Sequence, residues 1–124
     1  MGLHESPEDL DRSAIDDHRA IISIIEELEA VDWYRQRATA TDDAALAAIL
    51  EHNRDEEKEH AAMAIEWLRR RDPVLDRHLR TYLFTEGSIV SEETRAEASA
   101  EPGVGEVVGS SSLGIGSLRG EGEA

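Results

Sequence analysis

The sequence predicts an all-α protein built on an antiparallel pair of long helices, and three observations support this fold class. Two stretches of roughly 30 residues carry apolar side chains at the three- and four-residue spacing of a helix face. A short connection rich in Thr and Asp separates them. Hydrophobic residues make up 40% of the chain and aromatic residues only 4%, which suits a helical core of Leu, Ile and Ala better than a β-sandwich. With 124 residues, the chain has room for one small domain.

The first predicted helix begins near Ser6 and carries a wide apolar face. Ser6 can act as the N-cap, Pro7 fits the first helical position, and the two acids that follow suit the positive end of the helix dipole. Aliphatic side chains then recur with helical period until the pattern fades after Trp33 and Tyr34. They are Ile15, Ile21, Ile22, Ile24, Ile25, Leu28 and Val31.

The second predicted helix runs from about Asp43 to about Asp72. Residues 39–42 form a short connection, and Thr41 with the two aspartates after it offers a cap for the new helix. Pro73 disfavours helical geometry at the residue before it and so marks the end. Two helices joined by so short a turn must lie antiparallel, each about 45 Å long.

A short third helix is predicted over residues 74–84, because Leu75, Leu79, Tyr82 and Leu83 fall on one side of it. The composition then changes, since eight of the nine glycines lie from Gly87 onward, together with serines and scattered glutamates. This composition predicts a flexible acidic linker over residues 87–111. We therefore divide the chain into a helical domain, 1–86, the linker, 87–111, and a tail, 112–124.

The tail places branched apolar side chains among glycines and serines. One interpretation is a solvated tail with a few stray aliphatic residues. The other is a docking peptide that inserts three side chains into pockets on a partner protein. These side chains are Leu113, Ile115 and Leu118.

Charge and composition argue against several functional classes. A net charge of −15 argues against binding to nucleic acid or to anionic membranes and favours cations as ligands. No cysteine is present, so disulfides and thiolate metal sites are excluded. The N-terminus lacks the basic start and apolar run of a signal peptide, and no apolar run approaches the roughly 20 residues that span a bilayer. We therefore expect a soluble cytoplasmic protein that binds neither nucleic acid nor membrane.

A Glu-x-x-His pair interrupts the apolar seam of the second helix. Glu57 and His60 are three residues apart and share a helix face. An unpaired carboxylate on such a seam would cost several kcal/mol if buried and would tend to take up a proton. A cation held by carboxylate and imidazole is the simplest compensation. The seam alternates spacings of four and three over Leu46, Leu50, Asn53, Glu57, His60, Ala64 and Trp67.

Glu27 on the first helix is placed to meet this pair. It lies three residues after Ile24 and four before Val31, and Tyr34 follows seven residues later on the same side. A bare Glu with a Glu-x-x-His motif is half of the diiron carboxylate constellation, which takes two of each from four helices. Two copies of the chain would complete the site on a twofold axis and would also bury the apolar faces. Ligands without sulfur suit iron or manganese, and paired metals about 3.5–4 Å apart would let both ions share glutamates.

These residues also have plainer interpretations. An isolated Glu-x-x-His is more often a solvated Glu beside a surface His. Glu26, Glu29 and Trp33 form either a solvated acidic face or an acidic vestibule that concentrates ferrous ions. Two other functional classes stay open: a helical cargo or adaptor protein that binds cations incidentally, and a diiron or dimanganese oxidase that acts on an organic substrate.

Four stretches of the sequence resemble the encapsulated ferritins, which are ferritin-like ferroxidases associated with encapsulins. They are EELEAVDWY at 26–34, HNRDEEKEHAAM at 52–63, HLRTYLF at 78–84, and SLGIGSLRG at 112–120, which resembles the targeting peptide of this family. The resemblance implies two-helix subunits that dimerise into a four-helix diiron site and assemble into a ring-shaped decamer. It further implies a cargo of the encapsulin nanocompartment that oxidises Fe(II) to Fe(III) with dioxygen for iron storage and detoxification.

The resemblance also implies roles for individual residues. The diiron ligands, from both subunits and for two irons per dimer, fall on Glu27, Glu57 and His60. The vestibule, at which other divalent cations are also expected to bind, falls on Glu26 and Glu29 beside Trp33. Tyr34 matches a position near the metals. The contacts with the encapsulin shell fall on Leu113, Ile115 and Leu118.

Overall fold

The computed structural model describes residues 2–99, which are all-helical, and this confirms the predicted fold class. The described residues fall into two compact units, the first ending at Asp76 and the second beginning at Arg77. None of the helices in residues 2–99 is both long enough and apolar enough to cross a bilayer. Over this part of the chain a 3-10 turn at Pro7–Asp9 precedes α1 (Arg12–Ala40), α2 (Ala44–Arg71), α3 (Pro73–Tyr82) and α4 (Ile89–Ser99).

The first helix begins later than the sequence predicts. Ser6 precedes only the 3-10 turn, and its hydroxyl contacts the carboxylate of Glu8 instead of a backbone N–H. Leu10 is extended, with φ −113° and ψ 137°, and interrupts the helical path. Asp11 then caps α1, because its carboxylate accepts a hydrogen bond from the Ala14 N–H at 2.7 Å. The prediction of Ser6 as the cap of the long helix is therefore wrong.

The connection between α1 and α2 fixes the hairpin. The Asp43 carboxylate accepts hydrogen bonds from the N–H groups of Ala45 and Leu46 at 2.9 and 3.1 Å. The Asp43 N–H in turn donates to Thr41 Oγ1 at 3.1 Å. The helices are antiparallel, since Arg71 at the end of α2 contacts the start of α1. Their lengths of 29 and 28 residues agree with the predicted pair of long helices.

The hairpin buries little apolar surface by itself. Ala61 is the only buried apolar side chain in residues 2–99. Large apolar side chains of both long helices therefore stay exposed and are available to a partner. The large apolar side chains of α1 and α2 that remain 40–59% exposed include Ile21, Leu28, Leu46, Ile49, Met63 and Trp67.

A network of ion pairs holds the last turns of α2. The Glu66 carboxylate accepts hydrogen bonds from Arg69 Nε and Nη2 at 2.7 and 2.8 Å, and from Arg70 Nε at 2.7 Å. Arg69 also contacts the carboxylate of Asp76 in the first turn of α3. The guanidinium groups of Arg69 and Arg70 lower the pKa of Glu66 from 4.5 to about 2.

We expect Glu66→Gln to destabilise the hairpin in a pH-dependent way. Because folding lowers the pKa of Glu66, its stabilising effect is full above pH 4.5 and is lost as the pH falls through about 2. The Glu66 side chain is 41% exposed, and solvent screening limits the effect to about 0.5–1 kcal/mol. Urea unfolding should therefore separate the variant from wild type near neutral pH, and the two should converge under acid conditions. A pH-independent difference would contradict this assignment.

The third helix ends two residues before the predicted boundary. The Asp72 carboxylate caps its start by accepting hydrogen bonds from the N–H groups of Val74 and Leu75, each at 3.0 Å. At the other end, Phe84 has a φ of 63°, the left-handed conformation that commonly terminates helices. The helix therefore stops at Tyr82.

A fourth helix lies where the sequence predicts a flexible linker. Ile89–Ser99 is helical, so the linker does not begin at residue 87. The Ser91 N–H donates to Ser88 Oγ at 3.4 Å, and the buried Glu92 pairs with Arg95 at 3.2 Å. The rest of the predicted linker and the tail with Leu113, Ile115 and Leu118 lie outside the described residues.

Candidate metal centre

Three of the predicted ligand residues meet midway along the hairpin. Glu27 lies on α1, and Glu57 and His60 lie on α2. One ligand atom from each residue lies within 4.8 Å of those of the other two. His60 Nδ1 is 3.2 Å from Glu57 Oε1 and 3.8 Å from Glu27 Oε1. Within residues 2–99, this is the only group of three His, Cys, Asp or Glu residues close enough to hold one metal ion.

The geometry of the hairpin explains why these side chains meet. Glu27 precedes Thr41, the residue that ends α1, by the same number of positions as Glu57 follows Asp43, the residue that caps α2. At the helical rise, both glutamates are about 21 Å from the turn and therefore lie at the same level. His60 follows Glu57 by one helical turn and so shares its face of α2.

The three groups change one another's pKa. A hydrogen bond with Glu57, and then burial, raise the pKa of Glu27. The same hydrogen bond, followed by one from His60, lowers the pKa of Glu57. The hydrogen bond to Glu57 is also the main reason that the pKa of His60 is raised. The two carboxyl groups and the imidazole therefore interact closely, at a point where a metal cation could bind.

The site is open on one side. The side chains of Glu57, Glu27 and His60 are 23%, 29% and 42% exposed. His60 lies two heptads after Leu46 and one heptad before Trp67, so it falls in line with exposed apolar side chains along α2. The Glu57 carboxylate is therefore only partly covered by the single hairpin.

The donor set fits a metal such as iron or manganese. It offers carboxylate oxygens and an imidazole nitrogen and no sulfur, the combination that these metals accept. With both glutamates ionised and His60 neutral, each chain contributes two negative charges. Two chains would therefore balance the charge of two divalent ions.

The predicted vestibule residues do not join this group. Glu26 and Glu29 are exposed on α1. Trp33 is also exposed and lines an open depression of about 310 Å³ together with Gln36 and Arg37. Glu26 is near enough to raise the pKa of Glu27 slightly through charge repulsion, which ranks last among the causes of that shift. The vestibule role remains a prediction.

Tyr34 occupies a half-buried position on α1. It lies two helical turns after Glu27, which is about 10 Å along the helix axis. The guanidinium carbon of Arg37 lies 5.7 Å from the centre of the Tyr34 ring. The proposed position of Tyr34 beside the metals therefore stays a prediction.

The open end of the hairpin holds a set of polar contacts that the sequence does not predict. Arg71 contacts Ser13 and Asp17 there, although Arg71 ends α2 and both partners lie in the first turns of α1. None of the three belongs to a motif, and each falls on a helix position where a charged or polar residue is ordinary. Only the packing of α2 on α1 reveals the contact.

Comparison with known proteins gives consistent results. A family model described as EncFtn-like matches residues 2–86. The chain is 56% identical over 124 residues to the encapsulated ferritin-like protein of Rhodospirillum rubrum, covering 95% of this chain and 88% of that protein. It is 36% identical over 104 residues to the encapsulin nanocompartment cargo protein EncC of Myxococcus xanthus, covering 79% and 80%. The crystal structure of protein ne0167 from Nitrosomonas europaea matches with a TM-score of 0.70 and 57% identity, covering 72% of this chain and 98% of that one.

Proposed function

The chain belongs to the EncFtn-like family, and on that premise we propose that it is a ferroxidase carried as cargo by an encapsulin shell. The observation that carries the proposal is the cluster of Glu27, Glu57 and His60, which lies midway along the hairpin with its side chains partly exposed to solvent. The names of two relatives, one an encapsulated ferritin-like protein and one an encapsulin cargo protein, support the encapsulated location.

Two copies of the chain complete the site in this proposal. The exposed stripe of α2, which we define as Leu46, Ile49, Met63 and Trp67, lies on both sides of His60 along the helix. Burying such side chains fully contributes roughly 1.5–3 kcal/mol each, which favours association. A twofold-related copy adds its own three ligand residues, so the completed site has four glutamates and two histidines. This is the donor set of the ferritin-like diiron carboxylate proteins.

Fe(II) is the substrate of this site. The carboxylates of Glu27 and Glu57 bind the ion, and their anionic oxygens favour the Fe(III) product over Fe(II). Two bound Fe(II) ions lose one electron each, and one dioxygen molecule takes up both electrons with two protons and leaves as hydrogen peroxide. His60 supplies a neutral nitrogen ligand, which keeps the total charge of the site near balance.

The remaining residues serve delivery and assembly. Glu26 and Glu29, beside Trp33, form the acidic vestibule that concentrates Fe(II), and other divalent cations compete there. Tyr34 adjoins the metals. The dimers assemble into a ring-shaped decamer, and the tail docks on the encapsulin shell in the cytoplasm through Leu113, Ile115 and Leu118.

Fe(II) is expected to shift the chain from monomer towards dimer and larger assemblies. An ion that binds only the completed site stabilises the assembled state by mass action. Native mass spectrometry under anaerobic conditions, with and without Fe(II), measures this shift. His60→Ala should abolish the response to Fe(II), whereas His52→Ala, a change at an exposed position of the same helix, should not. A monomer that is fully active at high dilution would refute the two-copy site.

A further inference from the structure

Arg71 joins the two helices at the open end of the hairpin. Its Nη2 donates a hydrogen bond to Ser13 Oγ at 2.7 Å and lies 3.4 Å from Asp17 Oδ1. That oxygen of Asp17 is buried and makes an ion pair with Arg71 without a hydrogen bond. The guanidinium carbon of Arg71 lies 4.2 Å from the centre of the Trp67 ring, which stacks the guanidinium against α2. We call Arg71, Ser13 and Asp17 the open-end clamp.

The clamp matters because apolar packing alone leaves the helices poorly fixed. Ala61 is the only buried apolar side chain in the described part of the chain. Cores that are only loosely packed lose their unique geometry before they lose stability. Directional polar contacts can then specify how two helices meet, and Arg71 offers a planar donor group with several N–H directions.

The metal site lies far from the turn, so a contact at the other end of the hairpin can affect its geometry. At the helical rise, His60 lies about 25 Å along α2 from Asp43 at the turn. If the helices pivot at the turn by about 5°, their separation at that distance changes by about 2 Å. A functional site has to be held within about 0.5 Å, so the turn alone does not fix the site. The clamp is the polar contact beyond the site that closes the other end of the hairpin.

We propose that Arg71 is a positioning residue, which holds α1 and α2 at the separation at which Glu27 and His60 bind one cation. This role rests on the proposed function of those two residues as ligands. Arg71 acts through Ser13 and Asp17 and does not touch the metal.

Binding of Co(II) to the full-length chain tests this role without oxidation chemistry. Arg71→Met removes the clamp. Arg70→Met is the matched control, because the described hydrogen bond of Arg70 goes to Glu66 on its own helix. We expect Arg71→Met to weaken Co(II) binding at least ten-fold in calorimetry and to change the visible Co(II) absorption bands. Arg70→Met should alter affinity less than two-fold. The comparison is made at a temperature at which far-UV circular dichroism shows that both variants keep the helix content of wild type.

Two further variants separate positioning from a general loss of stability. Asp17→Asn is a milder change on α1 and should weaken Co(II) binding in the same direction, with little further loss when combined with Arg71→Met. Arg71→Lys should restore part of the affinity, because an ammonium can pair with Asp17 but does not reproduce the planar donor group. These losses of Co(II) affinity, measured where every variant keeps the helix content of wild type, are not expected if Arg71 only adds stability.

The possible outcomes test the positioning role of Arg71 separately from the assignment of the metal ligands. If Glu27→Ala loses Co(II) binding but Arg71→Met binds like Arg70→Met, the metal site stands and the positioning role is overturned. If Glu27→Ala binds Co(II) like wild type, the ligand assignment is wrong and the positioning role falls with it.

Discussion

Replacing Glu57 by alanine is expected to slow aerobic oxidation of Fe(II) by at least about ten-fold, which is the lower range for loss of groups that support a metal site. Glu57 contacts His60 at 3.2 Å and shares a hydrogen bond with Glu27, so its loss removes the group that links the two helices at the site. In the proposed dimer, one substitution removes two carboxylates. Stopped-flow absorbance of Fe(III), after anaerobic Fe(II) is mixed with aerated protein, measures the initial rate.

The neighbouring Glu59 provides the control for this experiment. Glu59→Ala removes the same charge two residues away, at an exposed position of the same helix, and should leave the rate within about two-fold of wild type, as surface changes usually do. Glu27→Ala and His60→Ala should behave like Glu57→Ala. Helix content by circular dichroism should be retained in all four, because alanine is a strong helix former and none of the four side chains is fully buried. Equal rates for Glu57→Ala and Glu59→Ala would contradict the proposed role of Glu57 as a metal ligand.

Deleting residues 113–124 is expected to abolish loading into encapsulin shells while ferroxidase activity stays close to wild type. Leu113, Ile115 and Leu118 are the only large apolar side chains in this segment. Burying each contributes on the order of 1.5–3 kcal/mol, less the conformational entropy that any peptide loses on binding, so we expect a single tail to dock weakly. Many copies on the proposed ring would add avidity inside a shell. Co-expression with the shell protein, purification of shells and a count of co-purifying cargo measure loading.

Two triple substitutions show whether the side chains or the length of the tail matter. Changing Leu113, Ile115 and Leu118 to Ser should prevent loading without shortening the chain. Changing Val104, Val107 and Val108 to Ser removes three aliphatic side chains from the preceding segment and should leave loading normal. Normal loading of the first variant would show that the tail side chains are not the docking contacts.

Local signals in the sequence predict most of the hairpin. Asp43 and Pro73 bound α2 through a cap and a backbone restriction that act within a few residues. Helical periodicity places Glu57 and His60 on one face, and the equal distances of Glu27 and Glu57 from the turn bring the two glutamates level. Short-range rules and one reverse turn are therefore sufficient to predict the cluster.

The features that sequence analysis misses depend on competition or on long-range packing. Two cap sequences compete at the N-terminus, and Asp11 caps α1 because the extended Leu10 separates it from Ser6. The acidic stretch of α4 is rich in glutamate and alanine, which are good helix formers, so propensity is a better guide there than glycine content. The contact of Arg71 with Asp17 joins the end of α2 to the start of α1. Because these residues are far apart in the chain, no local sequence pattern predicts it.

A crystal structure of the chain grown without oxygen and soaked with Fe(II) tests the central claim most directly. We predict two metal ions between two copies of the chain on a twofold axis, each bound by glutamates and a histidine drawn from Glu27, Glu57 and His60 of both copies. Metal ions bound elsewhere, or held by one chain with no second copy at the site, would contradict the account.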